Sequence, residues 1–527
     1  MRKFLIAAGM VGILAPAAFA QYTFHKIRLA AQIDLTTFNA NSGNSCWGYV
    51  SPSGREYALM GLSNKLAAVE ITDPNNPVWI DSVSHGSSTW ADVKVYQNIA
   101  YLVTEREASG IQVIDLSDID SGNISLIQTL MTVGRSHTIS VDTTSGFLYT
   151  TGSRDSPGTT TCWNLANPAN PVLVGVNSIT GGTYVHESMA MTYPVGSPYA
   201  GMQVFFASSA FDGLMIWNVT NKNNPILIKS IPYPQLGYTH QAWISEDLKY
   251  VYLDDEFDET TYNIPSRTVV FNVESLENAA YVTSYTNGNT SIDHNLYVRD
   301  GYVFSSNYTS GLRIFSTHLN PEAPTEVGWF DTYPSDDIPQ YEGLWSNYPF
   351  FPSGTVIGSD INRGLFIWDV TEATTRTIPP VLLTTVRGTL VSGNLASLAA
   401  DDNNRLQYKP GIVFSAGQAP VEFFVEAKAD STTPVKLDFK VDSRATSAAI
   451  EQKIEFYNFL TDSYELINTR NLGTADSSVT AVPTGNLARF VRSDKTVRVR
   501  LRFRPNAPVF AFPYTVGIDQ AVWLNSP

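Results

Sequence analysis

The sequence predicts an all-β protein in which a seven-bladed β-propeller precedes a C-terminal β-sandwich of jelly-roll type. Seven stretches share one pattern, spaced 45 to 54 residues apart. Within each repeat, alternating runs of about five to seven residues are separated by Gly, Asn and Pro, which is typical of strands. Four strands in a repeat of about 45 to 50 residues indicate propeller blades. The pattern stops near residue 374, which predicts a second domain.

Residues 1–20 predict a cleaved signal peptide. Arg2 and Lys3 precede an apolar stretch, and Ala18-Phe19-Ala20 forms a small-x-small cleavage site before Gln21. We therefore expect an exported protein that is secreted or held at the cell surface.

The propeller is predicted over residues 21–374. Its last repeat, from Tyr341 to about Thr374, contains only three convincing strands. The segment "HKIRLAAQIDL", His25 to Leu35, forms a strand without a repeat of its own. We expect this N-terminal strand to complete the seventh blade, because an open ring would leave unpaired strand edges.

A different pattern occupies the C-terminal region. We predict a linker over residues 375–385 and a β-sandwich over residues 386–527, because alternating runs such as "VKLDFKVD" and "TVRVRLRFRP" follow at short intervals. Sandwiches appended to other domains often serve attachment or glycan contact, which is an analogy at the level of the fold.

Charge and hydropathy restrict the partners. The chain has 34 basic and 49 acidic residues and a net charge of −15, which argues against nucleic acid as a partner. After the signal peptide, no segment is long and apolar enough to predict a transmembrane span. We expect an extracellular protein or glycan ligand, and the sequence leaves the oligomeric state open.

One position of the repeat is occupied by histidine in four of the seven copies. The residues aligned at this position are Cys46, Ala91, His137, His186, His240, His294 and Glu342. The whole chain has seven histidines among 527 residues, so seven arbitrary positions would contain about 0.1 histidine by chance. Since the first strand of each blade lies nearest the propeller axis, we expect the four histidines to line one arc of the channel mouth.

Acidic and amide groups are predicted beside this arc. The second strand of each hairpin returns to the histidine end, and residues next to the histidines in sequence add further polar groups. The predicted neighbours are Glu105, Glu187, Asp254, Asp255, Glu256, Asp293, Asn307 and Glu342. Imidazoles flanked by carboxylates are typical of transition-metal sites. Two alternatives remain open: histidines that only bridge neighbouring blades, and a ligand or catalytic site without metal.

Two acidic segments suggest calcium. The run "DDEFDE", Asp254 to Glu259, and the pair Asp401 and Asp402 contain the oxygen ligands that Ca²⁺ prefers. Neither has the spacing of an EF-hand loop, and solvated turns are the alternative interpretation.

The repeats resemble the choice-of-anchor B family of secreted proteins, which are built from LVIVD-type propeller repeats. The resemblance covers roughly residues 22–372 and depends on "WADVKVYQNIAYLVTE", "SHTISVD", "YTHQAWISEDLKYVYLDDEFDE" and "DHNLYVRDGYVFSSNYTSGLRIFS". It implies a propeller at the cell surface with no settled activity. The chain differs from the family pattern by ending in a sandwich in place of an obvious sorting signal. The arc of histidines also resembles, more distantly, the four iron-binding histidines of seven-bladed carotenoid-cleaving oxygenases.

These observations predict a secreted or cell-surface binding and interaction protein without an established catalytic activity. The alternative is a metal-dependent enzyme, such as an oxidoreductase, that uses the histidine-lined channel mouth.

Overall fold

A computed structural model of the chain describes residues 22–153, 159–178, 184–447, 449–506 and 514–527. The predicted signal peptide, residues 1–20, lies outside the described residues. The described part consists mainly of antiparallel strands, as predicted, and its two α-helices are short: α1 (Asp258–Tyr262) and α2 (Thr371–Thr374). No helix in these ranges is long and apolar enough to span a membrane. Short 3-10 helices occupy Ile119–Ser121, Leu395–Leu398 and Leu487–Phe490.

The first 29 strands form repeated four-stranded sheets, which we number in chain order. Two N-terminal strands come first, β1 (Phe24–His25) and β2 (Arg28–Ile33). Sheet one has β3 (Gly43–Val50), β4 (Glu56–Leu62), β5 (Lys65–Glu70) and β6 (Val78–Ser84). Sheet two has β7 (Ala91–Tyr96), β8 (Ile99–Thr104), β9 (Ile111–Asp115) and β10 (Ser125–Leu130). Sheet three has β11 (Thr138–Asp142), β12 (Phe147–Thr151), β13 (Thr159–Asn164) and β14 (Val172–Ser178). Sheet four has β15 (Glu187–Thr192), β16 (Gln203–Ser208), β17 (Leu214–Asn218) and β18 (Ile226–Ile231).

Three further sheets of the same kind follow. Sheet five has β19 (Thr239–Ile244), β20 (Tyr250–Asp255), β21 (Thr268–Asn272) and β22 (Ala280–Tyr285). Sheet six has β23 (Asn295–Arg299), β24 (Tyr302–Ser306), β25 (Leu312–Ser316) and β26 (Thr325–Phe330). Sheet seven has β27 (Leu344–Tyr348), β28 (Thr355–Asp360) and β29 (Gly364–Asp369). In every sheet, sequential strands pair with one another.

Burial changes systematically from the second strand to the fourth. Every residue of β4, β8 and β16 is buried, and these strands are almost continuously apolar because they are covered on both faces. The fourth strands β6 and β18 are exposed at several positions. The second strands therefore lie in the interior and the fourth strands at the periphery.

The first strands of successive sheets pack against one another, and β27 of sheet seven packs against β3 of sheet one. Side chains reinforce these contacts. Asp92 Oδ2 accepts a hydrogen bond from the Ile139 N–H at 3.0 Å, and Gln241 Oε1 accepts one from the Leu296 N–H at 3.1 Å. The first strands thus form a closed cycle of contacts, which brings equivalent positions of neighbouring sheets together.

The N-terminal segment completes this arrangement. Strand β2 pairs antiparallel with β29, from Arg28 opposite Asp369 to Ile33 opposite Leu365, and supplies the fourth strand of sheet seven as predicted. The two residues of β1 pair with β26 and extend sheet six, which the sequence analysis did not anticipate. Between β1 and β2, the Ile27 side chain is 1% exposed and packs between sheets six and seven, in the cluster that contains Trp368.

The remaining strands form two antiparallel sheets. Their strands are β30 (Arg376–Ile378), β31 (Leu382–Arg387), β32 (Thr389–Ser392), β33 (Leu406–Lys409), β34 (Val421–Lys428), β35 (Lys436–Ala445), β36 (Ile450–Asn458), β37 (Ser463–Leu472), β38 (Ser477–Ala481), β39 (Thr496–Pro505) and β40 (Val516–Ser526). One sheet has the order β32-β33-β40-β35-β38 with β30 also paired to β40, and the other has the order β31-β34-β39-β36-β37. The two sheets share one hydrophobic core, to which Phe439 and Trp523 contribute from one sheet and Phe423 and Phe503 from the other.

The predicted linker, residues 375–385, is wrong because this segment contains strands. Strand β30 pairs with β40, and β31 begins at Leu382 and pairs with β34, so the strands of the C-terminal region begin before the predicted boundary at residue 386. Both lie at sheet edges and leave most of their side chains exposed or half-buried. An edge strand of this kind lacks the alternation of a buried strand, which explains why its sequence resembles a linker.

We predict that Ile27→Ala lowers the free energy of unfolding by about 2–4 kcal/mol, because it opens a cavity between sheets six and seven. Urea unfolding followed by circular dichroism measures the change. The control is His25→Ala, two residues earlier and exposed, which should change stability by no more than about 0.5 kcal/mol. Equal midpoints for the two variants would show that the N-terminal segment does not stabilise the closed arrangement.

Candidate functional site

The four histidines of the repeat lie side by side. The ring centroids of His137 and His186 are 4.1 Å apart, those of His186 and His240 are 4.4 Å apart, and those of His240 and His294 are 4.3 Å apart. All four residues are buried. The arc predicted from the repeat pattern is therefore present as one continuous row, which we call the histidine row.

Backbone pairing at the start of each hairpin fixes this row. The N–H groups of His137, His186 and His294 donate to the carbonyl groups of Thr151, Ser208 and Ser306, at 3.0, 2.9 and 3.1 Å. His240 lies in a bulge of β19, between Thr239 and Gln241. Each side chain therefore stands where the first strand starts and the second strand ends.

The structure corrects the alignment in the sheets without histidine. Trp345 occupies a bulge between Leu344 and Ser346 that corresponds to the bulge of His240, and its ring lies 4.8 Å from that of His294. Trp90 lies just before the first pair of opposite residues in β7 and β8 of sheet two. Its ring lies 6.4 Å from that of His137. Tryptophans thus extend the histidine row at both ends.

The residues assigned to these positions from the sequence lie elsewhere. Ala91 is the first residue of β7, one residue after Trp90. Cys46 packs in the core of sheet one, where burial raises the pKa of its thiol to about 12 and keeps it neutral. Glu342 precedes β27 and accepts a hydrogen bond from the Asn362 side chain. The bulge at Trp345 shifts the register of β27, which a comparison of strand patterns does not reveal.

Glu256 lies beside the histidine row, directly after β20. Its Oε2 atom is 3.9 Å from His240 Nε2, and its Oε1 atom is 3.7 Å from His294 Nε2. The Tyr308 hydroxyl donates a hydrogen bond of 2.8 Å to Oε1. Burial raises the pKa of Glu256 to about 7, although the Tyr308 hydrogen bond opposes this effect.

Neighbouring groups orient the imidazole rings. The Nδ1 atom of His294 donates to the Trp345 carbonyl at 2.6 Å, and Nδ1 of His137 donates to Glu105 Oε1 at 2.7 Å. The Tyr238 hydroxyl lies 3.0 Å from Nδ1 of His186. At His294, the contact with the Trp345 carbonyl places the proton on Nδ1 and the lone pair on Nε2, the form that binds metals.

The protonation of the row differs from ring to ring. Burial lowers the pKa of His294 to about 3, and burial together with the His294 and His137 rings holds the pKa of His240 well below its usual range. At His137, burial also disfavours the charged ring, but the Glu105 carboxylate outweighs it and raises the pKa. His240 and His294 are therefore neutral near pH 7, the form that binds metals.

Three members of the site have the composition of a metal centre. One ligand atom each from His186, His240 and Glu256 lies within 4.8 Å of the other two, and all three residues are buried. Two imidazoles and one carboxylate bind zinc in hydrolases and iron in oxygenases. The structure thus joins two of the four histidines with a glutamate that the sequence analysis assigned to a supporting position.

The other predicted residues surround this centre in different ways. Asp255 accepts hydrogen bonds from the Tyr233 hydroxyl at 2.8 Å and the Gly237 N–H at 2.7 Å, so it fixes the loop that precedes β19. Glu187 lines a cavity together with Asp92 and His137, and burial foremost and the Asp92 charge raise its pKa to about 8. Asn307 is buried in the turn after β24. Asp254 and Asp293 belong to a separate acidic cluster.

A cavity of about 400 Å³ opens onto the site. His137, His186 and Glu256 line one part of it, and aromatic rings line most of the remainder: Trp90, Tyr238, Phe257, Tyr308, Tyr341 and Trp345. The sequence analysis missed these aromatic residues. Trp90 lies one residue before the first residue of β7, and Trp345 lies in a bulge, so strand patterns alone place neither residue. The tyrosines and Phe257 come from loops without a repeat signal.

No family model matches the chain, and no curated protein matches it. Solved structures with a similar arrangement include three with low identity. A protein of Bacteroides fragilis, provisionally described as a 6-phosphogluconolactonase, is 13% identical, with a TM-score of 0.41 over 56% of this chain and 84% of its own. A functionally unknown protein of Desulfotomaculum acetoxidans is 16% identical, with a TM-score of 0.41 over 54% of this chain and 83% of its own. U3-55K is 9% identical, with a TM-score of 0.44 over 65% of this chain and 98% of its own.

We predict that Glu105→Gln destabilises the metal-free protein more at pH 5.5 than at pH 9. The folded-state pKa of His137 is raised, so its protonation stabilises the fold below the unfolded pKa of about 6.5, and this contribution is lost as the pH rises through the folded pKa. Removal of the Glu105 charge should cost about 1–2 kcal/mol at pH 5.5. Urea unfolding of chelator-treated protein at the two pH values measures this loss of stability.

The control is Glu107→Gln, which removes the same charge from an exposed side chain two residues later. The charge pair between Glu105 and His137 would be contradicted if Glu105→Gln destabilised the protein equally at both pH values. It would also be contradicted if Glu107→Gln had the same effect.

Proposed function

We propose that the seven four-stranded sheets form a seven-bladed β-propeller and that the two C-terminal sheets form a β-sandwich. Three observations support this architecture: the cyclic packing of the first strands, the pairing of β2 with β29, and the single core shared by the C-terminal sheets. In this arrangement the histidine row lies at one mouth of the central channel.

We propose further that the channel mouth binds a divalent transition-metal ion through His186, His240 and Glu256. The observation that carries the proposal is the convergence of these three buried ligand groups within 4.8 Å. The nitrogen donors favour zinc, iron or copper over magnesium and calcium, which prefer oxygen ligands alone. His294 and Tyr308 contact Glu256 and hold its carboxylate toward the rings.

A purely structural role for the histidines explains less of the site. A residue needed for packing between sheets should recur in every sheet, but Trp90 and Trp345 take the equivalent positions in sheets two and seven. Glu256 is also buried between rings that are neutral at pH 7, so the rings do not compensate its charge. A bound cation would compensate this charge and use the Nε2 lone pairs.

The aromatic cavity indicates what kind of ligand would bind beside the metal. Its volume of about 400 Å³ suits a small organic molecule, and ligand sites are typically apolar with a few polar groups. We propose that such a molecule binds against the aromatic rings, next to open positions of the metal. This is the metal-dependent alternative of the sequence analysis. Export to the cell surface and membership of the choice-of-anchor B family remain predictions.

We predict that mature protein purified without an affinity tag that binds metals contains about one equivalent of a transition metal, measured by inductively coupled plasma mass spectrometry. His240→Ala and Glu256→Gln should each remove most of this metal, because each deletes one of three ligands. After chelation and reloading with Co²⁺, the visible absorption of the metal centre should appear in the wild type and be lost in both variants.

The matched control is His25→Ala, which removes an exposed histidine outside the site and should retain the metal. Wild-type protein that contains no transition metal and binds no Co²⁺, or a His240→Ala variant that retains full metal content, would contradict the proposal.

A further inference from the structure

A second group of buried acidic residues lies behind the histidine row. Asp258 and Glu259 are in α1, and Asp293 immediately precedes His294. One carboxylate oxygen from each lies within 4.8 Å of the other two. Their exposures are 0%, 3% and 1%, so solvent does not compensate their charges.

Few polar partners reach these three residues. Arg267 Nε donates to Asp258 Oδ2 at 2.7 Å, and the Asp293 N–H donates to Glu259 Oε1 at 3.3 Å. The second oxygens of Asp258 and Glu259 and both oxygens of Asp293 receive no hydrogen bond from the described residues. Among the described residues, one guanidinium group therefore contacts one of the three carboxylates, that of Asp258.

A fourth carboxylate points into the same group. Asp254, in β20, is fully buried, and neither of its oxygens receives a hydrogen bond from the described part of the chain. Its carboxyl group lies at hydrogen-bonding range from that of Asp293, so the two groups either share a proton or need a cation beside them. In the strand register, Asp254 lies opposite Thr268, and Thr268 lies opposite Tyr285. The buried Tyr285 hydroxyl also has no hydrogen-bond partner among the described residues.

An arrangement with four buried carboxylates and one guanidinium requires compensation, because an uncompensated buried charge costs several kcal/mol. Protons on the carboxyl groups are one solution, and a bound cation is the other. Burial and the neighbouring carboxylates raise the pKa values of Glu259 and Asp293, as expected when no cation is present. The number of unpartnered oxygens favours the cation, which can contact several oxygens at once.

We propose that Asp258, Glu259 and Asp293 bind a calcium ion, with Asp254 beside Asp293. Calcium takes six to eight oxygen ligands at about 2.3–2.6 Å, so opposite ligands lie up to about 5 Å apart, which fits the observed separation. The set contains oxygen donors only, whereas the channel mouth offers imidazoles. The inference therefore concerns a second ion at different residues and goes beyond the proposed function.

This calcium site would also support the first site. Glu256 lies between Asp254 and Asp258 in the chain, and His294 follows Asp293 directly. A calcium ion would hold the turn after β20 against the start of β23, and these two segments present Glu256 and His294 to the row. Calcium should therefore stabilise the fold and the geometry of the transition-metal centre together.

The test uses the mature protein, treated with a calcium chelator and titrated with CaCl₂ in an isothermal titration calorimeter. We expect about one equivalent of Ca²⁺ to bind and the melting temperature to rise by at least about 3 °C at saturation. Asp293→Asn should weaken Ca²⁺ binding about tenfold or more. The matched control is Asp212→Asn, an exposed aspartate that should leave both quantities unchanged.

Stability without calcium separates this proposal from a folding defect. Asp293→Asn removes one of the mutually repelling charges, so the calcium-free variant should melt at or above the temperature of the calcium-free wild type. The proposal would be overturned if the wild type bound no Ca²⁺ and its melting temperature did not change with Ca²⁺. Protons on the carboxyl groups would then be what balances the buried acidic cluster. The transition-metal content of the same sample is measured separately, so the two proposals can fail independently.

Discussion

The packing of each first strand against the first strand of the next sheet is the constraint on which the rest of the structure depends. Side chains such as Asp92 and Gln241 accept backbone hydrogen bonds from the neighbouring sheet and hold this packing in register. A residue that recurs at one position of the repeat therefore meets its own equivalents in space. The histidine row, with ring centroids 4.1 to 4.4 Å apart, is a direct result of this geometry.

Electrostatic compensation connects the two candidate sites. Glu256 is buried beside rings that stay neutral, and the acidic cluster of Asp254, Asp258, Glu259 and Asp293 has one guanidinium contact among the described residues, from Arg267 to Asp258. Both arrangements are costly in a folded protein unless protons or cations balance them. Because Asp254 to Glu259 form one continuous segment, the ion bound on one side would position ligands on the other. Stability and metal binding should thus depend on each other in this protein.

Much of this arrangement could be predicted from periodicity. The period of 45 to 54 residues and the position of His137, His186, His240 and His294 in it follow from the repeat alone. Trp345 could not be placed, because a bulge alters the register without altering strand composition. Trp90 could not be placed, because it lies just before the first paired residue of β7. The edge strand β30 resembled a linker because only Ile378 of its three residues is buried. The role of Glu256 as a candidate ligand, and the separation of Asp293 from the row, depend on loop geometry that no repeat encodes.

Anomalous X-ray diffraction from crystals of untreated mature protein would test the central claim most directly. Data collected on both sides of the absorption edge of the metal found in the sample locate that ion by element. The account predicts an anomalous peak bonded to His186, His240 and Glu256 at the channel mouth. A well-ordered site with these three side chains as described and no anomalous peak between them would contradict it.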